Sequence, residues 1–243
     1  MRTLTRTLSL ALVLGLGLGG RAAAEIIGAD DFSETDGSAL GGKAADVGGT
    51  WSSNGQINGG AFDTAQFGGA HDGSFVGFTR ALGAGETLIM TFETFDTGGT
   101  MFQPNNNYAG ISLYLDNDEK FFVGDPAGGA DAAGTGWTAD GFAGGSGAVI
   151  STINAEAVTG VFTYNFDSGN ASLTLNDGAS SETVYRTYDP GVAVNRLRIQ
   201  AGDGLAEINV SSFEVSAVPE PASAGLMALA LAGLAMQVRK RLA

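Results

Sequence analysis

The sequence predicts an all-β body, a sandwich or barrel, carried between two short end segments of different character. Three observations carry this expectation. Short apolar runs with period-two alternation recur through residues 25–217, the pattern of strands with one buried face. Clusters of Gly, Asn and Asp punctuate them, and most of the chain's 39 glycines are spread through the body rather than gathered in a linker, as expected of many strands joined by turns. No stretch of the body shows the 3.6-residue periodicity of an amphipathic helix.

The strands are readable in order. Glu86 to Phe95 places Leu88, Met90 and Phe92 on one face and Thr87, Thr91 and Glu93 on the other. Ile111, Leu113 and Leu115 alternate with Ser112 and Tyr114, and Asp116-Asn117-Asp118-Glu119 then reads as a hairpin turn before Lys120 to Val123. Phe162, Tyr164 and Phe166 alternate with Val161, Thr163 and Asn165. Leu173 and Leu175 lead into Asn176-Asp177-Gly178, where Asp-Gly favours a tight turn, and Thr183 to Thr187 runs back. Leu197 to Gln200 and Glu207 to Val215 complete the body. In the last strand Ile208 and Val210 are out of phase with Phe213 and Val215, which predicts a bulge near Ser211-Ser212.

The two ends differ from the body. Arg2 and Arg6, an apolar run from Leu8 to Leu18 and the small residues Ala22-Ala23-Ala24 form the three parts of a secretory signal peptide. Residues 1–24 are therefore expected to be removed by signal peptidase, leaving a body of residues 25–217. The chain closes with Pro219-Glu220-Pro221, an uncharged apolar or small stretch from Ala222 to Val238, and the basic stop Arg239-Lys240-Arg241. Two prolines hold the motif extended, the stretch reaches the minimum length for a membrane span, and the basic cluster fixes the C-terminus in the cytoplasm. Residues 218–243 resemble the PEP-CTERM sorting signal of Gram-negative bacteria. The resemblance implies recognition by exosortase, transient anchoring in the inner membrane with the body outside the cytoplasm, and then delivery to the cell surface or the extracellular medium.

The charge of the body limits its partners. The whole chain carries −14, but half of the 12 basic residues lie in the end segments. Residues 25–217 keep six basic residues against 25 acidic ones, a net charge of −19. Such a body repels nucleic acid and anionic lipid, and leaves divalent cations or neutral polysaccharides as fitting partners. There is no cysteine, so no disulfide framework and no thiolate chemistry; a body of this length buries a core without such staples.

A second resemblance covers nearly the whole body. Ala29-Asp30-Asp31-Phe32, Trp51 after a glycine-rich run, Tyr108-Ala109-Gly110-Ile111-Ser112-Leu113, Glu119 to Pro126 followed by Gly136-Trp137, and the strand Ile208 to Val215 together resemble concanavalin-like jelly-roll domains. The resemblance implies a two-sheet antiparallel jelly-roll sandwich whose first and last strands are adjacent. It implies no activity, because one fold hosts many functions.

Candidate sites follow from the same residues. The segment Gly124 to Gly147 holds nine glycines around Trp137 and reads as a surface binding loop; Trp137 and Tyr108 are the rings expected to contact a glycan, whereas Trp51 reads as core. Asp116, Asp118 and Asp30 are rich in the oxygen ligands that calcium takes, and the resemblance implies one structural calcium ion. Enzyme chemistry lacks its residues. No stretch has the Glu-x-Asp-x-x-Glu pattern of jelly-roll glucanases, and the single histidine, His71, has no histidine or cysteine partner for metal or triad chemistry. The expectation is an exported, non-enzymatic protein with a structural or adhesive role in association with exopolysaccharide. The alternative is a carbohydrate-binding, lectin-like module, with a glucanase-like hydrolase third.

Overall fold

The computed structural model describes residues 23–52, 55–58, 60–63, 73–96, 101–102, 108–126, 136–144, 147–202 and 206–220. Residues 1–22, most of the expected signal peptide, lie outside the described residues, as do His71, Pro221, the apolar stretch with the transmembrane helix expected there, and Arg239, Lys240 and Arg241. Among the described residues no helix is long and apolar enough to cross a membrane.

Among the described residues the body has fourteen strands: β1 (Glu25–Asp30), β2 (Gln56–Asn58), β3 (Ala61–Asp63), β4 (Gly73–Gly77), β5 (Glu86–Thr94), β6 (Tyr108–Leu115), β7 (Asp118–Asp125), β8 (Thr138–Asp140), β9 (Ala148–Val149), β10 (Thr159–Asn165), β11 (Asn170–Asn176), β12 (Ser181–Thr187), β13 (Arg196–Gly202) and β14 (Asn209–Pro219). They form two sheets. An eight-stranded sheet runs β12-β11-β10-β5-β14-β3-β2, with β1 also paired to β14, and a six-stranded sheet runs β4-β13-β6-β7-β8-β9. Each registered strand pair is antiparallel, and the first and last strands are neighbours through Glu25↔Ala217 to Asp30↔Phe213. Residues 24–218 form one compact unit, and β14 continues to Pro219, two residues beyond the boundary drawn from the sequence.

The alternation in sequence is what sorts side chains between core and surface. Leu88, Met90 and Phe92 of β5, Phe162 and Tyr164 of β10, and Leu173 and Leu175 of β11 point into the sandwich. From the other sheet Ile111, Leu113, Phe121, Val123, Leu197 and Ile199 meet them. Phe121 packs against Tyr164 at 4.5 Å and Tyr188 at 4.7 Å between ring centroids, joining the two sheets. A second aromatic cluster, Phe32, Trp51, Phe62 and Phe213, closes the end where β1, β3 and β14 meet. Each such side chain contributes about 1.5–3 kcal/mol by leaving water. In β14 burial shifts phase between Val210 and Phe213, where the strand's neighbour changes from β3 to β1; this is the irregularity expected at Ser211-Ser212.

The glycine-rich segment is built differently from the expected loop. Its described part contains β8 and leads into β9, and Trp137 enters the core with 0% exposure. Trp137 packs on Phe92 and Phe102, and its Nε1 donates to the Ala155 carbonyl at 2.9 Å. From the edge of the opposite sheet Arg186 reaches across to the same segment. Its guanidinium donates to the carbonyls of Ala139 (2.9 Å) and Gly144 (2.6 Å), pairs with Asp140 Oδ1 (3.0 Å) and lies 4.1 Å from the Tyr188 ring. Glycine is required at the turn this grip holds: Gly141 has φ +122°, and a Cβ there would meet the Phe121 Cα at 2.8 Å.

Candidate functional site

Four neighbouring strands, β13, β6, β7 and β8, build a cleft on the outer face of the six-stranded sheet. Register puts Phe75, Arg198, Ser112, Phe122 and Asp140 in one row across β4, β13, β6, β7 and β8. Beside them Tyr114 stands opposite Glu119, where the β6–β7 register shifts. Of these, Arg198, Phe122, Asp140, Tyr114 and Glu119, with Tyr108, Gln200 and Phe142, surround a cavity of about 450 Å³, within the range of small-molecule and cofactor sites. Phe142 stands at its edge with 82% of its surface exposed. Two glycines let aromatic rings lie flat on the sheet: a Cβ at Gly110 would be 2.6 Å from the Phe122 ring, and one at Gly202 would overlap the Tyr108 ring.

Polar groups form a connected floor. Glu119 Oε1 accepts from the Ser112 hydroxyl and from Gln200 Nε2 at 3.2 Å, and Gln200 Nε2 also donates to Ser112 Oγ at 2.7 Å. Arg198 donates to the Tyr114 hydroxyl at 3.3 Å and lies 4.9 Å from the Phe75 ring. Burial pushes the Glu119 carboxyl above the usual carboxylate range, against the Ser112 bond, Arg198 and Gln200, with Asp140 adding to the rise. Burial likewise raises the Tyr114 hydroxyl, opposed by its bond from Arg198.

Because the fold favours the neutral form of Glu119, its ionisation costs stability as pH rises through the carboxylate range. Below the unfolded pKa both states hold the proton and the cost vanishes. Glu119→Gln keeps the acceptor oxygen and removes the charge. It is expected to raise the melting temperature at pH 7 and to leave it unchanged near pH 3.5; equal effects at both values would contradict the assignment.

The structure redistributes the residues expected to form sites. Tyr108 opens β6 and lines the cleft. Trp137 does not: it is core, so its ring offers no face to a glycan, and the expectation for it is corrected. Asp116, Asp118 and Asp30 do not meet. Asp116 is in the β6–β7 turn in reciprocal hydrogen bonds with Asn195, and Asp118 is exposed, 3.8 Å from Lys120. Asp30 ends β1 in the other sheet, where its carboxylate and those of Asp31 and Asp46 lie within 4.8 Å of one another.

The donor set around Asp30 does not suit calcium, which takes six to eight oxygens. Both Asp30 oxygens accept from Lys43 Nζ at 2.7 Å, one also accepts from Trp51 Nε1 at 2.7 Å, and the other from the Phe32 amide at 3.0 Å. Lys43 binds Glu34 as well, at 2.9 Å. A Ser33 hydrogen bond holds Asp31 below its usual range, and Asp46 Oδ2 accepts from the Asp31 amide. The lysine ammonium is therefore the cation of this cluster. The melting temperature is expected to be the same in excess chelator and in millimolar calcium, and an upward shift with calcium would contradict this.

The sequence pattern alone does not bring Arg198, Gln200, Ser112, Glu119, Phe122 and Asp140 together. One signal was present: Arg198 and Gln200 alternate with Leu197 and Ile199, and Ser112 with Ile111 and Leu113, so these polar residues belong to the outward face of a buried strand pair.

Comparison with known proteins agrees with both end and body. A family model of the PEP-CTERM protein-sorting motif matches residues 217–241. This motif implies a secreted protein with a membrane-anchored C-terminal sorting tail. No curated protein matches the chain. Among solved structures, lectin II from Ulex europaeus superposes with a TM-score of 0.53 at 8% identity, over 82% of this chain and 100% of that one. A winged bean acidic lectin complexed with methyl-α-D-galactose gives 0.51 at 8% identity, over 81% and 99%. At these identities the likeness establishes the fold: a concanavalin-like, legume-lectin-type sandwich.

Proposed function

We propose that the protein is an exosortase substrate whose body acts outside the cytoplasm as a non-enzymatic carbohydrate-binding module, attaching it to extracellular polysaccharide. The observation that carries this is the cleft on the six-stranded sheet. Pyranose rings have apolar C–H faces and hydroxyl edges. A site for them needs aromatic surfaces beside planar polar groups, and Tyr108, Phe122 and Phe142 beside Glu119, Gln200 and Arg198 supply both. The amphipathic character of tyrosine suits such a boundary. The −19 charge of the body favours neutral or amino-sugar polymers over polyuronates. The galactoside held by the winged bean relative is in keeping with this class of ligand.

Binding fits the cleft better than hydrolysis. A glycosidase needs one carboxyl as proton donor and a second facing the sugar. Glu119 has the raised affinity for a proton, but Asp140 is engaged by Arg186 at 3.0 Å. The test is retention of the body on a panel of immobilised neutral, amino-sugar and acidic polysaccharides. Retention on a neutral or amino-sugar polymer, lost in Tyr108→Ala and in Arg198→Ala, is expected, without release of reducing ends. Retention on none would overturn the proposal, and reducing ends released by wild type but not by Glu119→Gln would replace it with hydrolysis. Mass spectrometry of the exported protein tests the sorting half: termini at Glu25 and close to Pro219-Glu220-Pro221 are expected, and an intact Arg239-Lys240-Arg241 end would contradict processing.

A further inference from the structure

The last strand of the sandwich runs straight into the sorting signal. The matched sorting motif begins at residue 217, and β14 continues through that residue to Pro219. No linker separates fold from motif. Enzymes that act on a chain take it as an extended segment through its main-chain groups, so the state of residues 215–219 decides where the tail can be cut.

Those residues are committed to the fold as far as Ala217. β14 pairs with both β5 and β1, and Glu25↔Ala217 and Ile26↔Ser216 are the last pairs of the β1 ladder. Val215, Ser216 and Ala217 are buried in succession, at 0%, 8% and 0% exposure, so both faces of the strand are covered there. Val218 and Pro219 are half-buried, and Pro219 has no N–H with which to extend a ladder.

Arg80 ties together the two strands that neighbour β14. Thr79 N donates to the Ile27 carbonyl at 2.8 Å, which lays this segment along β1. From there Arg80 Nε donates to Glu25 Oε2 at 2.8 Å, and its two terminal nitrogens bind the Glu86 carboxylate at 3.0 and 2.7 Å. Glu25 is the first residue of β1 and Glu86 the first of β5, so one guanidinium joins the starts of both. Exposed ion pairs contribute little singly. A bidentate contact between arginine and carboxylate is one of the stronger kinds, and the Gly83 amide fixes Glu86 further at 2.8 Å.

We infer that the bond cut to remove the sorting tail lies on the C-terminal side of Pro219, and that Arg80 is the clasp that confines the cut there. The inference rests on the exosortase reading above. In the cut the carbonyl carbon exchanges its bond to nitrogen for one to the oxygen of water, whose proton completes the amine on the departing tail. A cut farther upstream takes Ala217 or Val215 from the core and β1 loses its partner, so it requires the end of β14 to open first. That end is the weaker one. Glu25 and Ile26 are exposed and the β1 ladder shifts register between Ile26 and Gly28, whereas the Asp30 end is held by Lys43 and the aromatic cluster. Once the clasp is gone, local opening starts from there.

Digestion of the full chain in detergent with proteinase K, read by mass spectrometry, tests this without exosortase. The wild-type body is expected to end at Pro219 or beyond. In Arg80→Ala, products ending within residues 213–218 are expected to form severalfold faster, with Arg80→Lys in between. Glu25→Gln, which loosens the β1 half alone, carries the test if Arg80→Ala does not fold. A wild-type product that ends upstream of Pro219, or variants that digest like wild type, would overturn the inference. In exporting cells the mature protein is expected to share the wild-type terminus, and one upstream of Pro219 would also overturn it. A tail that is never removed would instead overturn the exosortase reading, with the protease pattern unchanged.

Discussion

Asp30→Ala is expected to destabilise the body by about 3–5 kcal/mol, the range for removing one partner of a buried ion pair. The Asp30 side chain is fully buried and that of Lys43 is 12% exposed. Truncation leaves the ammonium with Glu34 alone and strips the acceptor from Trp51 Nε1 and the Phe32 amide. Those two aromatics belong to the cluster that closes β1, β3 and β14, so the loss extends beyond one pair. Burial by itself would lower the Lys43 pKa, but the hydrogen bonds it donates to Asp30 and Glu34 outweigh it and raise the group above its usual value. A raised base contributes stability that is fully present below its unfolded pKa and lost as pH rises through the folded one. The difference between wild type and Asp30→Ala is therefore expected to hold through neutral pH and to shrink in the alkaline range. Urea midpoints at pH 7 and above pH 10 measure both. A midpoint change worth less than about 1 kcal/mol at pH 7 would show the cluster to be incidental.

Arg186→Ala is expected to cost about 2–4 kcal/mol, as buried carbonyls lose a charged donor. The side chain is 2% exposed, while Asp140 is 37% exposed and recovers part of its solvation, which keeps the figure below that for Asp30. Lysine cannot replace it, because one ammonium does not reproduce the planar fork that reaches Ala139, Asp140 and Gly144 together. The same contacts hold Asp140 and Gly141 at the edge of the cleft. Arg186→Lys is therefore expected to weaken glycan retention even at temperatures where the body is folded. A variant with full stability would remove Arg186 from the account, and one that is destabilised but binds normally would restrict it to the fold.

The sequence and the structure agree most closely where one strand decides the outcome. Leu88, Met90 and Phe92 needed only their own alternation to be placed inside, and the Asp116-Asn117 turn needed only its residue types. Around Trp137 the glycine density suggests an open loop, yet the indole is buried. Here glycines such as Gly141 instead allow backbones to approach closely around a buried indole. Arg186 shares its phase in β12 with half-buried Val184, but nothing local reveals that carbonyls from residues 139–144 await it across the sandwich. The cleft was illegible for the same reason. Tyr108, Glu119, Asp140 and Arg198 become neighbours only through the order β13-β6-β7-β8, and register between distant strands is not encoded in any one of them. Glu119 shows the difference within two residues: its residue type places it with Asp118 in a turn, yet the register shift beside Tyr114 turns it into the cleft.

The central claim is that carbohydrate occupies the outer face of the six-stranded sheet, and side-chain footprinting by hydroxyl radicals tests it most directly. The body would be labelled with and without the polysaccharide that retains it, and modified residues identified by mass spectrometry. Protection of Tyr108 and Phe142 is predicted, with Tyr185 on the opposite sheet labelled equally in both samples. Unchanged labelling of Phe142 and Tyr108 in the bound state, or protection confined to another surface, would contradict the account.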